Sequence, residues 1–252
     1  MHIGCHAVLF KDRIKTDTEG LIKDLKSTGF EGSEIGSRFF GTEDKAGLIK
    51  ILDKFKYQMS AMHVVGELND FCDAEKTRIL RNRIMTVAEF VKDMPNKNIM
   101  FSGIDQEGIR DFKSMALSID SIAKECADIG VALNYHNHNW EFEKDRRIFN
   151  ALADHAPNLK LGFDLGWVYK TGNDPIELVK EYRDRINYVH LRDLNDEKEF
   201  VEIGEGIMDF KTLIPLLKEV LDEDGWAVVE YEDGEEDIER YKRAYVYISK
   251  LF

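Results

Sequence analysis

Cysteine and long apolar runs are scarce in this chain. Its 252 residues include three cysteines, Cys5, Cys72 and Cys126, which are too scattered for a disulfide framework or a cysteine zinc site. No stretch of about 18 consecutive apolar residues occurs, and the N-terminus lacks a basic segment followed by a long apolar one. We therefore expect a soluble protein of the cytoplasm, a reducing compartment, without a membrane partner.

Positive charge is also in short supply. Lysine and arginine together number 35 against 48 aspartates and glutamates, which gives a formal net charge of −13. Nucleic-acid binding draws most of its affinity from cationic side chains that neutralise phosphates, so we expect no nucleic-acid partner. The length is typical of one α/β barrel and allows a large core without disulfides, which predicts one domain over residues 1–252.

Short apolar runs alternate with longer segments of helical spacing along the whole chain, and no linker divides it. The alternation predicts strands at residues 3–9, 30–36, 57–65, 98–103, 131–136, 160–164, 186–191 and 226–231. It predicts helices at residues 18–27, 43–55, 74–92, 106–129, 146–153, 175–182, 209–221 and 235–251. This order predicts a single-domain (β/α)8 TIM barrel. A doubly wound open sheet would usually carry a glycine-rich phosphate turn after its first strand, and the sequence has none there.

Acidic and histidine side chains end several of the later predicted strands. His136, Asp164, His190 and Glu230 each lie at or just after the C-terminal end of an apolar run. In a TIM barrel these ends meet at the face that carries the active site. Oxygen and imidazole groups that converge from separate strands are suitable ligands for a divalent metal. The pattern therefore predicts a metal-dependent enzyme.

The densest group of polar side chains is the segment NYHNHNWE, residues 134–141. While the chain is extended, His136 and His138 point in the same direction, and Glu141 follows in the loop. So many buried polar groups would each need a partner, which favours a functional role for the segment.

Further candidates for the pocket are Glu34, His63, Trp140, Trp167, Arg192 and Glu205. The first two lie near the ends of the second and third predicted strands. The two tryptophans adjoin the candidate ligands, and aromatic faces commonly pack on sugar rings. Arg192 shares a loop with His190, and Glu205 lies between two glycines in a loop where the backbone can approach a ligand closely.

At these residues the chain resembles the xylose isomerase-like TIM-barrel superfamily. The resemblance is to its sugar phosphate isomerase/epimerase proteins, which include relatives of inosose dehydratase and of ketose 3-epimerases. The motifs that carry it are YHNHNWEFE, GFDLGWVYKTGNDP, NYVHLRDLND, EIGEGIMDF and VVEYE, within residues 134–232. In the N-terminal half the layout matches, with GFEGSEI as an echo of the family's second strand.

The resemblance implies a divalent metal held at the ends of the last four barrel strands by a Glu, Asp, His or Gln, Glu set. It assigns Asp164, His190 and Glu230 to the last three positions. The first position departs from the commonest pattern, because the strand ends in His136 where many relatives have glutamate, and Glu141 is the nearest carboxylate. Either residue would complete the set.

The resemblance also implies the reaction, a sugar isomerisation or epimerisation, or a related dehydration, that begins with proton removal beside a carbonyl. Glu230 would serve one face of the substrate, and His136, His138 or Glu141 the other. We expect Mn²⁺ as the metal, with Mg²⁺, Co²⁺ and Zn²⁺ as alternatives, and a small sugar or cyclitol as substrate. The sequence leaves association into a homo-oligomer open.

Two other functions remain as alternatives. A metal-dependent abasic-site endonuclease or phosphodiesterase, which the superfamily also contains, would need more histidine ligands early in the chain and a basic face for DNA. A non-catalytic sugar-binding barrel would explain the two tryptophans but not the titratable groups at so many strand ends.

Overall fold

The computed structural model describes residues 1–104, 108–109 and 111–252. Within these residues, eight parallel strands close into a barrel in the order β1-β10-β7-β6-β5-β4-β3-β2. The barrel strands are β1 His2–His6, β2 Gly32–Gly36, β3 Gln58–Gly66, β4 Asn98–Gly103, β5 Ala132–His136, β6 Lys160–Asp164, β7 Tyr188–Leu191 and β10 Trp226–Val229. The prediction of a single-domain TIM barrel is confirmed.

Helices connect the strands and cover the outside of the barrel. They are α1 Arg13–Thr16, α2 Thr18–Thr28, α3 Lys45–Phe55, α4 Ala74–Val91, α5 Phe112–Asp128, α6 Arg147–His155, α7 Leu165–Lys170, α8 Pro175–Glu181, α9 Phe210–Val220 and α10 Ile238–Ser249. No helix among the described residues is both long and apolar enough to cross a membrane.

Most predicted elements agree with the structure, and the differences are local. The first strand ends earlier than predicted, because Val8–Phe10 forms a 3-10 turn. The predicted helix 106–129 corresponds to α5, while residues 106, 107 and 110 lie outside the described part of the chain. The sequence reading missed the two short helices α1 and α7 and a small antiparallel hairpin, β8 Asp193–Leu194 with β9 Phe200–Val201.

A tryptophan fills the N-terminal end of the barrel. The Trp226 side chain is fully buried, and its Nε1 donates to Asn96 Oδ1 at 3.1 Å. Gly4 and Gly32 make room for the ring, because a Cβ atom at these positions would lie 3.0 and 2.7 Å from it. The barrel is therefore plugged at this end, and a pocket forms at the opposite end, where the strands terminate.

Glu141 lies on the outer side of the barrel wall, next to α6. Its Oε1 accepts from the Tyr135 hydroxyl at 2.8 Å and its Oε2 from the His138 backbone N–H at 2.8 Å. Tyr135 and His136 alternate along β5, so the tyrosine points away from the barrel axis. Burial raises the pKa of the Glu141 carboxyl from 4.5 to about 7.

We expect Trp226→Ala to lower the free energy of unfolding by about 3–5 kcal/mol, because the ring leaves a cavity that the neighbouring glycines cannot fill. Urea unfolding followed by circular dichroism measures the change. Ile79→Ala is the control, since that side chain is 51% exposed and its loss should change stability by less than about 0.5 kcal/mol. A loss below about 1 kcal/mol for Trp226→Ala would contradict the packing described here.

Glu141 makes stability depend on pH. Its folded pKa is raised, so the unfolded chain ionises first, and the native state loses stability as pH rises from about 4.5 to about 7. Glu141→Gln imitates the protonated form. Between pH 5 and 8 its free energy of unfolding should therefore rise relative to that of the wild type, by up to about 3 kcal/mol. Urea unfolding across this range tests it against the exposed control Glu219→Gln. Parallel pH profiles for Glu141→Gln and the wild type would refute it.

Candidate active site

A cavity of about 320 Å³ opens at the C-terminal ends of the barrel strands. This volume lies within the range of about 300–1,000 Å³ that is usual for small-molecule sites. Titratable and hydroxyl side chains from the ends of five strands line it, namely His6, His63, Ser102, His136 and Glu230. The cavity therefore lies where barrel enzymes carry their active sites.

The fully buried carboxylate of Glu34, on β2, joins the histidines beneath this pocket. Its Oε1 lies 2.5 Å from His63 Nδ1 and 3.2 Å from His6 Nε2, and its Oε2 lies 2.8 Å from His190 Nε2. Burial alone would raise the pKa of Glu34, but His190 and His6 outweigh burial and hold the pKa well below its ordinary value. Glu34 is therefore an ionised acceptor for three imidazoles.

Hydrogen bonds fix which ring nitrogens carry protons in the group His6, Glu34 and His63. The Val8 backbone N–H donates to His6 Nδ1 at 2.9 Å, which places the proton of His6 on Nε2, facing Glu34. An ionised carboxylate only accepts, so His63 Nδ1 donates to Glu34, and His63 Nε2 accepts from the Ser102 hydroxyl at 2.8 Å. Three potential ligand atoms of this group lie within 4.8 Å of one another. The two imidazole nitrogens that face Glu34 carry protons, however, so they would have to lose these protons before they could bind a cation.

His136, His190 and Glu230 form a second group whose ligand atoms lie within 4.8 Å of one another. His190 Nε2 donates to Glu34, which leaves Nδ1 toward His136, and the two Nδ1 atoms are 3.0 Å apart. Ligands of one metal ion at about 2.0–2.2 Å are themselves about 3.0–3.5 Å apart. Glu230 Oε2 is buried without a hydrogen-bond partner among the described residues. This group therefore fits a divalent cation.

Glu34 accepts a hydrogen bond from His190, as an outer carboxylate does from the metal-binding histidine in many metal sites. Burial lowers the pKa of His190, but the carboxylates of Glu34 and Glu230 outweigh burial and raise it to about 9. Burial and the neighbouring His190 hold the pKa of His136 well below its ordinary value. Either a proton or a metal cation can therefore occupy the space between the Nδ1 atoms of His136 and His190, and binding of the cation releases the proton.

Asp164 lies beside an arginine and outside both groups found among the described residues. Arg192 is buried, and its Nε donates to Asp164 Oδ2 at 2.7 Å, while Asp164 Oδ1 accepts from the Trp167 backbone N–H at 2.9 Å. The same guanidinium lies 3.2 Å from Glu230 Oε1 and 3.0 Å from Glu232 Oε2. Burial raises the pKa of Asp164 to about 6, although Arg192 opposes this. Arg192 therefore compensates three carboxylates of the rim.

The predicted candidates fall into two sets. The structure brings together Glu34, His63, His136, His138, His190 and Glu230 at or beneath the pocket. His138 stacks on Trp140 with ring centroids 4.1 Å apart, and Arg192 lies over Trp167 at 5.5 Å. Glu141 lies outside the wall, so of the two alternatives for the first metal position only His136 reaches the cluster. Glu205 is exposed and does not line the pocket.

Several residues that line the pocket were missed from the sequence, among them Ser102, Arg38 and Arg83. Ser102 lies near the end of a correctly predicted strand, so the position was a usable signal, although the residue type was not. The Arg83 guanidinium donates to the Val65 carbonyl at 2.7 Å from α4, a contact between distant segments that no local pattern indicates.

Comparison with known proteins gives a consistent result. The family model described as xylose isomerase-like TIM barrel matches residues 22–249. Inosose dehydratase from Geobacillus kaustophilus (strain HTA426) is 25% identical over 271 residues, covering 92% of this chain and 86% of that protein.

Solved structures show the same fold. A sugar phosphate isomerase/epimerase from Parabacteroides distasonis ATCC 8503 superposes with a TM-score of 0.80 at 16% identity, covering 99% of this chain and 95% of that one. The 3-keto-D-glucoside 4-epimerase YcjR from E. coli gives 0.77 at 16% identity, covering 99% of both chains. The family match extends over most of the sequence and agrees with the closed barrel, so this chain belongs to the xylose isomerase-like TIM barrel family.

Proposed function

We propose that this protein is an enzyme that epimerises, isomerises or dehydrates a small sugar or cyclitol by removing a proton from a carbon beside a carbonyl. The observation that carries the proposal is the buried group His136, His190 and Glu230 at a sugar-sized pocket. The similar proteins named above support it, since they include an inosose dehydratase and a 3-keto-D-glucoside 4-epimerase. Both kinds of reaction can begin with such a proton removal.

We propose further that His136, His190 and Glu230 hold a divalent cation. When bound, the cation would polarise the substrate carbonyl and stabilise the negative charge that develops as the proton leaves. The mixed imidazole and carboxylate donors suit Mn²⁺, which we favour, and also Mg²⁺, Co²⁺ and Zn²⁺. Glu34 fixes the ring of His190 so that Nδ1 faces His136.

Glu230 is the proposed base on one face of the substrate. Burial would raise its pKa, but Arg192 and the neighbouring histidines outweigh burial and hold the pKa well below its ordinary value. Glu230 therefore stays ionised and can accept a proton from the substrate. His138, whose pKa burial lowers to about 4, is a neutral imidazole that can bind a substrate hydroxyl.

Deuterium exchange tests the reaction. In ²H₂O with added Mn²⁺, one or more members of a panel of keto-sugars, ketoinositols and 3-keto-glycosides should acquire deuterium at the carbon beside the carbonyl. Nuclear magnetic resonance identifies the labelled carbon, and Glu230→Gln should lower the exchange rate by at least about 100-fold, as expected for loss of a general base. Tight binding of a panel member with no exchange would instead indicate a sugar-binding barrel.

Metal content tests the proposed ligands. Glu230→Gln should weaken Mn²⁺ binding by more than about 100-fold, beyond the 10–100-fold typical of an outer partner. Asp164→Asn should change the Mn²⁺ affinity by less than about tenfold, because Asp164 pairs with Arg192. A larger loss, of 10–100-fold, is typical of outer residues that orient a metal ligand. Isothermal titration and elemental analysis measure both variants. Equal losses would support the ligand set that includes Asp164 and contradict ours.

A further inference from the structure

Resting on the proposed function, we infer that His63, positioned by Glu34, is the acid and base for the face of the substrate opposite Glu230. The basis is a juxtaposition across the pocket: Glu230 follows β10 on one side, and the hydrogen-bonded chain Glu34, His63 and Ser102 lies on β2, β3 and β4 on the other.

The order of strands around the barrel places these groups apart. Starting from β10, the strand β4 is four steps away in either direction, which is the greatest separation in an eight-stranded ring. Ser102 is the penultimate residue of that opposite strand, and His63 lies on its neighbour β3. Both line the same cavity as Glu230, so a substrate held there has Glu230 on one side and His63 on the other.

The hydrogen bonds of His63 are those of an oriented base. Its Nδ1 donates to the Glu34 carboxylate at 2.5 Å, which fixes the ring and would stabilise a positive charge on it. The lone pair of Nε2 accepts the hydroxyl of Ser102 at 2.8 Å. A substrate that replaces this hydroxyl at Nε2 places its own proton at the basic nitrogen, while Ser102 remains free to bind a substrate oxygen.

The other predicted candidates for this role are less well placed. Glu141 is outside the barrel wall, held by Tyr135. His136 faces His190 across 3.0 Å within the proposed metal group. His138 follows the end of β5 and stacks on Trp140, and its ring centroid lies 4.9 Å from that of His136 in the proposed metal group.

The proton transfers balance as a two-base reaction. Glu230, which is ionised at rest, takes the proton from carbon as the C–H bond breaks and the electron pair moves onto the carbonyl oxygen. His63, which has taken a proton from water at Nε2, then gives that proton to the opposite face, the electron pair returns to carbon and the carbonyl re-forms. The reverse direction uses neutral His63 as base and the protonated Glu230 carboxyl as acid, and exchange with water restores the starting protonation. In a dehydration, the His63 imidazolium would protonate the departing hydroxyl.

The test separates exchange at one face from product formation, using the panel member that exchanges in the wild type. His63→Gln should keep deuterium exchange at the Glu230 face within about tenfold of wild type, while formation of the epimer or dehydrated product falls by at least about 100-fold. Bound Mn²⁺ should be unchanged, which a merely structural role of His63 would not predict. His155→Gln, which changes a partly exposed histidine at the end of α6, is the control.

A second variant keeps the proposal testable if His63→Gln does not fold. Ser102→Val sets a methyl group against Nε2 and leaves the His63–Glu34 pair in place, and it should give the same separation of exchange from product. Exchange and product formation that fall together, or product formation that persists in both variants, would overturn the role of His63. No exchange by the wild-type enzyme with any panel member would instead overturn the proposed function itself, together with this inference.

Discussion

The buried carboxylate of Glu34 is the interaction on which the arrangement of the site depends. A carboxylate with no exposed surface is costly unless hydrogen bonds and opposite charge compensate it, and here three imidazoles do so. Because an ionised carboxylate can only accept, each imidazole must turn a protonated nitrogen toward it. Glu34 thereby decides which nitrogens of His63 and His190 face the pocket, and so divides the histidines into a proton-transferring set and a cation-binding set.

Arg192 supplies the complementary constraint on the other side of the rim. Three carboxylates, those of Asp164, Glu230 and Glu232, lie around one buried guanidinium. Their repulsion without it would be severe in a chain whose net charge is already −13. One cation for three anions also leaves a net negative rim, which favours the binding of a further cation next to Glu230.

Much of the fold and part of the site could be predicted from the sequence. Residues 98–103 and 160–164 were predicted with their observed bounds, because each is a compact apolar run. Since strand ends fix the level of a side chain in the barrel, the sequence predicts that Asp164, His190 and Glu230 meet, with His136 or Glu141 as the fourth member. The structure instead groups His136 with His190 and Glu230. The pairing of Asp164 with Arg192 could not be predicted. The register partner of Asp164 is His190, and Arg192 lies two residues beyond it, where its side-chain direction cannot be read from the sequence. Glu141 was misplaced because its loop returns outside the wall, where Tyr135 binds it.

The division of the histidines is tested most directly by a crystal structure of the protein soaked in Mn²⁺, with anomalous scattering used to locate the metal. We predict one strong peak bonded to His136 Nδ1, His190 Nδ1 and Glu230, with Glu34 still bound to His190 Nε2. A peak between His6, Glu34 and His63 would show that these imidazoles give up the protons assigned to them, and would contradict the division of the histidines into two sets.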